Sequence, residues 1–154
     1  LANVDLAAVF ADELEQLRKA YPGRRLELKV AGDTRGRWDG LRLQQLLRNL
    51  VSNAITYGAQ DAPVRVVLTG EEAVRFEVTN SGPTIERSAL DQIFDPLKRG
   101  HAQPDSYNTG LGLGLYIVRE IARAHGGEVD VGSDKAGTVF AVRLPRRNNG
   151  TPLF

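Results

Sequence analysis

Apolar residues along the chain follow two spacings, one typical of amphipathic helices and the other of half-buried strands. Helical spacing predicts three longer helices and one short helix. They cover about 5–21, 39–57, 86–94 and 115–125. Asp5 and Asp39 precede the first two apolar stripes and are candidate N-caps, while Pro22-Gly23 and Gly58 are the predicted stops. Gly126-Gly127 ends the last helix.

Alternating apolar and polar residues predict five strands among these helices. The strands cover about 26–30, 64–68, 74–78, 128–132 and 138–144. Short turns join the second strand to the third and the fourth to the fifth, which predicts two hairpins. The fold class is therefore α+β. It is a two-layer α/β sandwich in which a mixed, mostly antiparallel sheet of about five strands is covered on one face by three helices. Residues 1–146 form the domain, and 147–154 form a C-terminal tail.

Composition narrows the function classes. The chain has 154 residues, which suits one domain, and its 20 basic and 19 acidic residues leave a net charge of +1. This balance gives no general attraction to nucleic acid or to an anionic membrane. The absence of Cys excludes disulfides and thiolate metal sites. The chain starts at Leu1 and contains no Met, so we expect it to be a piece of a larger protein.

A glycine run precedes the last helix, and a polar stretch precedes the run. Gly110, Gly112 and Gly114 alternate with leucines. Backbone N–H groups without a Cβ beside them can approach an anion, and the helix start adds a partial positive charge. The run is therefore either a phosphate cradle or a glycine-rich cap on a tight loop. Residues 95–109 lack periodicity and include Lys98 and Arg99, which predicts a mobile loop. It is either a solvated loop or a lid whose cations meet phosphates.

Two further polar features are ambiguous when taken alone. Asn49 and Asn53 lie four residues apart beside the apolar stripe of the second helix. They are either oxygen ligands for Mg²⁺ or solvated amides. Asn80-Ser81-Gly82-Pro83 follows the third strand and is either a turn or a loop that reads a base edge. Trp38 and Tyr116 are best explained by packing.

Several alternative sites are excluded by missing motifs. The chain contains neither a P-loop nor a dinucleotide fingerprint, because the glycine pattern is G-x-G-x-G and is followed by Leu115. Only His101 and His125 are available as imidazoles, and no H-E-x-x-H occurs, which argues against a zinc site. A G-x-S-x-G nucleophile elbow is also missing.

The order of the polar motifs resembles one family across almost the whole chain. Residues 49–57 resemble the N box of sensor histidine kinases, 78–85 the G1 box, 93–100 the F box and 110–118 the G2 box. The chain is similar to the catalytic ATP-binding domain (HATPase_c) of bacterial sensor histidine kinases. That family has the Bergerat fold of the GHKL group, which DNA gyrase shares.

The resemblance implies ATP and Mg²⁺ as ligands and gives roles to matching positions. Asn53 would hold Mg²⁺ with help from Asn49, and both would be catalytic together with Arg99. Asn80 would bond the adenine amino group with Thr138 nearby. Residues 95–109 would be the ATP lid. The implied ATP-binding set is Asn49, Asn53, Tyr57, Asn80, Gly82, Ile85, Phe94, Lys98, Arg99, Thr109, Gly110, Leu111, Gly112, Leu113, Gly114, Leu115 and Thr138.

Departures from the family pattern qualify these roles. The family commonly has Asp at position 80, and the Asn80 amide oxygen accepts a hydrogen bond without a charge. Thr84 replaces a glycine, and Thr56 replaces a basic residue. ATP-hydrolysing relatives carry Glu at position 49, where it acts as a general base. Asn49 cannot accept a proton, so we expect slow hydrolysis and transfer to a histidine imidazole. The alternatives are a degenerate nucleotide-responsive module and a GHKL-type ATPase, which Asn49 disfavours.

The resemblance also implies partners. The phosphoacceptor histidine would lie on an upstream dimerisation domain, with residues 1–5 as the junction and a homodimer in the full-length protein. A response regulator receiver domain would be the second partner. Neither nucleic acid nor a membrane is an expected contact of this domain. The domain would be cytoplasmic. Its parent protein would be either anchored in a membrane or entirely cytoplasmic.

Overall fold

The computed structural model describes residues 1–95 and 109–147, with side chains from residue 114 onward in the second range. The helices are α1 Leu6–Ala20, α2 Gly40–Tyr57, α3 Arg87–Leu90 and α4 Thr109–Ala124. The strands are β1 Ala2–Asp5, β2 Leu26–Ala31, β3 Arg35–Trp38, β4 Val64–Gly70, β5 Val74–Asn80, β6 Glu128–Asp134 and β7 Gly137–Leu144. In these ranges no helix is both long and apolar enough to cross a membrane.

The main sheet has five strands in the order β2-β4-β5-β7-β6. β2 pairs with β4 in parallel, and the other three pairs are antiparallel. The register sets Val66 opposite Val78, and Val78 opposite Phe140 on the next strand. Because side chains alternate along a strand, these apolar residues share one face of the sheet. β6 lies at one edge and β2 at the other. The predicted mixed sheet and both predicted hairpins are confirmed.

Three helices cover the apolar face, with α2 in contact with both α1 and α4. Asp5 caps α1 by accepting the Ala7 N–H at 3.1 Å, and Asp39 caps α2 by accepting the Arg42 N–H at 3.2 Å. Both predicted N-caps are therefore confirmed. The core joins the two layers, for example where the Phe10 ring of α1 meets Phe76 of β5 edge to face at 4.8 Å.

A separate two-stranded sheet was not predicted. β1 pairs with β3 antiparallel, so Ala2 lies opposite Trp38. Trp38 is fully buried, as expected, and its indole N–H donates to the Pro145 carbonyl oxygen at 2.8 Å. The Arg37 N–H donates to the Arg146 carbonyl oxygen at 2.8 Å. These bonds fasten the small sheet to the chain segment after β7, and residues 2–5 of the expected junction become β1.

Two further boundaries differ from the prediction. The short helix expected over 86–94 is only Arg87–Leu90 and is followed by turns. The three glycines of the predicted cradle lie inside α4, which begins at Thr109, and not in a loop before it. The alternating leucines belong to the same amphipathic helix as the residues after them. The helical hydrogen bonding therefore extends back over the glycines. Most of the predicted lid, including Lys98 and Arg99, lies outside the described residues.

Candidate nucleotide-binding site

The second helix brings Asn49 beside α4. The buried apolar stripe of α2 packs against the sheet. Asn49 and Asn53 lie at the edge of this stripe and are half-buried. Asn49 Nδ2 donates to the Gly114 carbonyl oxygen at 3.3 Å. A Cβ on Gly114 would lie 4.0 Å from that amide, so a side chain here would be in contact with Asn49. The N-box helix and the end of the glycine run are therefore in direct contact.

Asn53 carries an unusual amide oxygen. Its Oδ1 is buried and has no hydrogen-bond partner among the described residues. A buried acceptor left unpaired costs about 1–3 kcal/mol, so such atoms call for a functional explanation. An uncharged amide oxygen is a suitable ligand for a hard cation. The Asn53 side chain therefore fits the predicted role of holding Mg²⁺.

Asn80 and Thr138 lie together where β5 meets β7. They are opposite one another in the register, and only 6% of Asn80 and 4% of Thr138 is exposed. The Asn80 Nδ2 faces the Ser81 carbonyl oxygen at 3.5 Å. This orientation leaves Oδ1 as the acceptor of the amide, which is the role expected of a residue that bonds the adenine amino group. The structure thus brings together the two residues predicted at the base.

Ser133 belongs to the same group and was missed by the sequence reasoning. Its Oγ lies 2.9 Å from Thr138 Oγ1 and accepts the Ile85 N–H at 2.9 Å. The hydroxyl therefore ties the strand end at Thr138 to the loop after Asn80. A serine in a hairpin strand has no distinguishing spacing, so only the fold reveals this contact.

Glycines let the surrounding backbone segments approach closely. A Cβ on Gly82 would lie 2.9 Å from the Tyr57 carbonyl oxygen and 3.2 Å from the Gly58 Cα. Gly137 has φ +140°, and a Cβ there would overlap the Asn80 carbonyl oxygen. The end of α2, the loop at Asn80–Gly82 and the start of β7 are thus packed backbone to backbone around the two residues predicted to bind the base.

Three apolar residues of the predicted ATP-binding set are largely covered by the core. Ile85 and Phe94 are half-buried and pack against the core. The Phe94 ring meets Phe140 edge to face at 6.1 Å. Leu115, another predicted site residue, is 1% exposed and its side chain belongs to the core. Any contact between Leu115 and a nucleotide would therefore involve its backbone.

The segment predicted as a phosphate cradle forms the start of α4. Thr109, Gly110, Leu111, Gly112 and Leu113 form its first turns, and Gly114 follows. The first N–H groups of a helix have no intrahelical partner and carry partial positive charge. The segment therefore has the electrostatics that a phosphate needs, although its backbone is helical.

Two residues that depart from the family pattern, Thr56 and Thr84, are exposed to solvent. Thr56 is exposed, and its hydroxyl donates to the Ser52 carbonyl oxygen of its own helix at 2.9 Å. Thr84 is also exposed.

His125 is fully buried at the end of α4, and burial lowers the pKa of its imidazole. The His125 ring is therefore closed off from solvent and from any phosphoryl donor outside the core.

Comparisons with known proteins agree with this geometry. A family model described as "Histidine kinase-, DNA gyrase B-, and HSP90-like ATPase" matches residues 38–148. A bacteriophytochrome of Pseudomonas aeruginosa is 37% identical over 133 residues, which is 86% of this chain and 18% of that protein. The chain thus spans under a fifth of that relative.

Solved structures also match this chain. The catalytic domain of the histidine kinase ThkA superposes with a TM-score of 0.80 at 26% identity, covering 95% of both chains. Full-length ShkA, solved in complex with AMPPNP, superposes with a TM-score of 0.79 at 29% identity. That match covers 99% of this chain and 32% of ShkA.

Proposed function

Because the chain belongs to the family of histidine kinase-, DNA gyrase B- and HSP90-like ATPases, whose domains bind ATP, we propose that it is the catalytic domain of a sensor histidine kinase. In this proposal it binds ATP with Mg²⁺ and transfers the γ-phosphoryl group to a histidine of another domain. The reaction joins phosphorus to an imidazole nitrogen and releases ADP, while the imidazole gives up its proton.

The observation that carries nucleotide binding is the buried Asn53 Oδ1 without a hydrogen-bond partner among the described residues. A bound Mg²⁺ would take this oxygen as a ligand and neutralise charge on the triphosphate. Asn49 would assist from the adjacent turn. At the other end of the site, Asn80 Oδ1 would accept from the adenine amino group, with the buried Thr138 beside it. The helical N–H groups at 109–112 would meet the phosphates.

Position 49 favours transfer to histidine over transfer to water. Its amide nitrogen donates to the Gly114 carbonyl oxygen, and an amide has no basic site that could deprotonate a water molecule. An imidazole has its own nucleophilic lone pair and needs no general base for the attack. The site would therefore act by positioning and by charge neutralisation. Arg99 is proposed to add a lid cation.

The remaining components of the reaction are proposed from the relatives. The full-length relatives are much longer, since the chain covers 18% of the bacteriophytochrome and 32% of ShkA. We propose an upstream dimerisation domain with the phosphoacceptor histidine, a homodimeric parent, and a response regulator that receives the phosphoryl group. The need for ATP indicates the cytoplasm as the site of reaction.

Two measurements test the proposal. Calorimetry should detect binding of MgATP in the micromolar range or weaker, and Asn80→Ala should reduce it. The isolated domain, mixed with the parent's dimerisation domain and labelled ATP, should transfer label to a histidine and hydrolyse ATP slowly. Binding without transfer would instead favour the degenerate nucleotide-responsive module. Rapid hydrolysis that Asn49→Ala abolishes would favour an ATPase.

A further inference from the structure

Arg24 connects a part of the fold remote in sequence to the base-binding end of the site. It lies in the connection between α1 and β2, and its guanidinium reaches the end of α2. We propose that Arg24 is a positioning residue, which holds the end of α2 and the Asn80–Gly82 loop in the arrangement that reads adenine. This inference rests on the proposed ATP-binding function.

The backbone that carries Arg24 is held on both sides. Its own N–H donates to the Tyr21 carbonyl oxygen at 3.0 Å, which closes the turn after α1. The carbonyl oxygen of the next residue, Arg25, accepts the Val64 N–H at 2.9 Å, where β2 and β4 begin to pair. The side chain therefore projects from a fixed base, so its far end can define a position.

The guanidinium bridges two backbone carbonyls near the end of α2. Nη1 donates to the Ile55 oxygen at 2.8 Å, and Nη2 donates to the Ala59 oxygen at 3.0 Å. The Ile55 carbonyl is among the last four of the helix, which lack intrahelical partners. A cation at a helix C-terminus is also favoured by the helix dipole. Arg24 thus caps α2 and fixes the direction of the chain after it.

The bonds continue from Ala59 to the base-binding loop. The Ala59 N–H donates to the Ser81 carbonyl oxygen, and Ser81 directly follows Asn80. Gly82 packs its backbone against Tyr57 and Gly58 at the end of α2. Losing the Arg24 bonds would free the Ala59 segment and let this loop shift. A shift there moves the Asn80 Oδ1, because that side chain sits at the end of β5.

The choice of arginine has a cost that supports a positioning role. Arg24 Nε is buried and has no hydrogen-bond partner among the described residues. Lysine would avoid that unpaired donor, but its compact ammonium lacks the planar fork that spans two carbonyls. We therefore expect Arg24→Lys to hold one carbonyl and to retain only part of the effect.

The test compares the affinity for ATP with that for inosine triphosphate, which has a carbonyl in place of the adenine amino group. The wild-type domain should prefer ATP by about tenfold, because inosine triphosphate loses the one hydrogen bond from the amino group to Asn80. Arg24→Ala should reduce this preference to about twofold or less, and Arg24→Lys should give an intermediate ratio.

Arg18→Ala is the matched control. Arg18 also donates from its guanidinium to a backbone carbonyl, that of Leu26, at 2.7 Å from Nη2, and its hydrogen bonds to described residues go to Leu26 and Glu15, neither of which lies in α2. Arg18→Ala should lower the melting temperature and keep the ATP preference. Equal ratios in wild type and Arg24→Ala would overturn the Arg24 inference alone. A wild type that binds neither nucleotide would overturn the proposed function and this inference with it.

A second readout remains decisive if Arg24→Ala fails to fold. In Arg24→Lys, without nucleotide, the NMR signals of the Ala59, Ser81 and Gly82 amides should move and the Ala59 N–H should exchange faster. Arg18→Ala should leave these three amides in place. Unmoved amides in Arg24→Lys would refute the positioning role.

Discussion

His125 Nε2 accepts a hydrogen bond from the Asp39 backbone N–H at 3.0 Å. The backbone group can only donate, so Nε2 must present its lone pair and the neutral ring carries its proton on Nδ1. Nδ1 lies 2.9 Å from the Ile121 carbonyl oxygen, which accepts that proton. One buried neutral imidazole therefore links the end of α4 to the N-cap of α2, the two helices that carry the glycine run and the asparagine pair.

Stability should fall in mild acid because of His125. Burial lowers the pKa of this imidazole below its ordinary value of 6.5. The unfolded chain therefore takes up a proton before the folded one does. The stabilisation is fully present above about pH 6.5 and is lost as the pH falls below it, by at most about 1.4 kcal/mol per pH unit. Urea unfolding between pH 8 and 5.5 measures this slope.

The control for that slope is His125→Gln, which removes the titrating ring and keeps a hydrogen-bonding side chain. Its unfolding free energy should change less than that of the wild type between pH 6.5 and 5.5. If both proteins lose the same stability over that interval, His125 is not the titrating group.

Asn53→Ala should separate stability from nucleotide binding. The substitution removes a buried oxygen that has no partner among the described residues, so the nucleotide-free domain should be unchanged or up to about 1 kcal/mol more stable. The rise in melting temperature that MgATP gives the wild type should disappear. Thr56→Ala, on the same helix but exposed, should keep the full MgATP response. A domain that loses stability and still responds to MgATP would contradict the assigned role of Asn53.

Two glycines of the β6–β7 hairpin should differ in how much stability they lose when replaced by alanine. Gly137 has φ +140°, and its Cβ would overlap the Asn80 carbonyl oxygen, whereas no atom of the described residues lies within 4 Å of a Cβ on Gly132. Gly137→Ala should cost about 2 kcal/mol or more, and Gly132→Ala should stay within about 1 kcal/mol of the wild type. Thermal unfolding of both variants decides this. Similar losses would mean that the close approach of β7 to Asn80 is not needed.

Glu13 should be a major source of stability between α1 and α2. It is 1% exposed and accepts hydrogen bonds from Arg48 Nε at 2.8 Å and from Gln44 Nε2 at 2.8 Å. Burial raises the pKa of Glu13, but the bonds from Arg48 and Gln44 outweigh it, so the pKa lies below its ordinary value.

Glu13→Ala should therefore lower the free energy of unfolding by about 1–3 kcal/mol, since the part-buried Gln44 amide loses its acceptor, whereas the exposed Arg48 guanidinium can be hydrated. Glu15→Ala is the control. Glu15 forms an exposed pair with Arg18 on the same helix and should contribute less than about 0.5 kcal/mol. Urea denaturation of the two variants gives the comparison, and equal losses would refute the role of Glu13.

Local signals explain which elements were predictable. The caps at Asp5 and Asp39 bond within three residues of themselves, so sequence spacing was enough to find them. The β1–β3 pair joins residues thirty or more positions apart and is four residues long. Its stability comes from bonds to Pro145 and Arg146 near the other end of the domain. No periodicity within residues 35–38 encodes such a contact.

The residues of the candidate site also fall into two groups, those that the sequence predicts and those that only the fold reveals. Asn49, Asn53 and Asn80 were each ambiguous alone. Their roles were predicted because the motifs that contain them follow the order found in sensor histidine kinases. Ser133 and Arg24 stayed unnoticed because their contacts are with backbone atoms and a hydroxyl brought near by folding. The roles of Lys98 and Arg99 stay predictions, since both lie outside the described residues.

The β6 edge of the main sheet, where no other described strand pairs, carries acidic side chains. Glu128, Asp130 and Asp134 alternate along β6 and are exposed, while Val129 and Val131 pack against the core. An unpaired strand edge is a template on which another chain can extend the sheet. A second copy that added itself there would bring rows of like charges together. The edge therefore discourages sheet-to-sheet aggregation, which should help the domain to stay dispersed at high protein concentration.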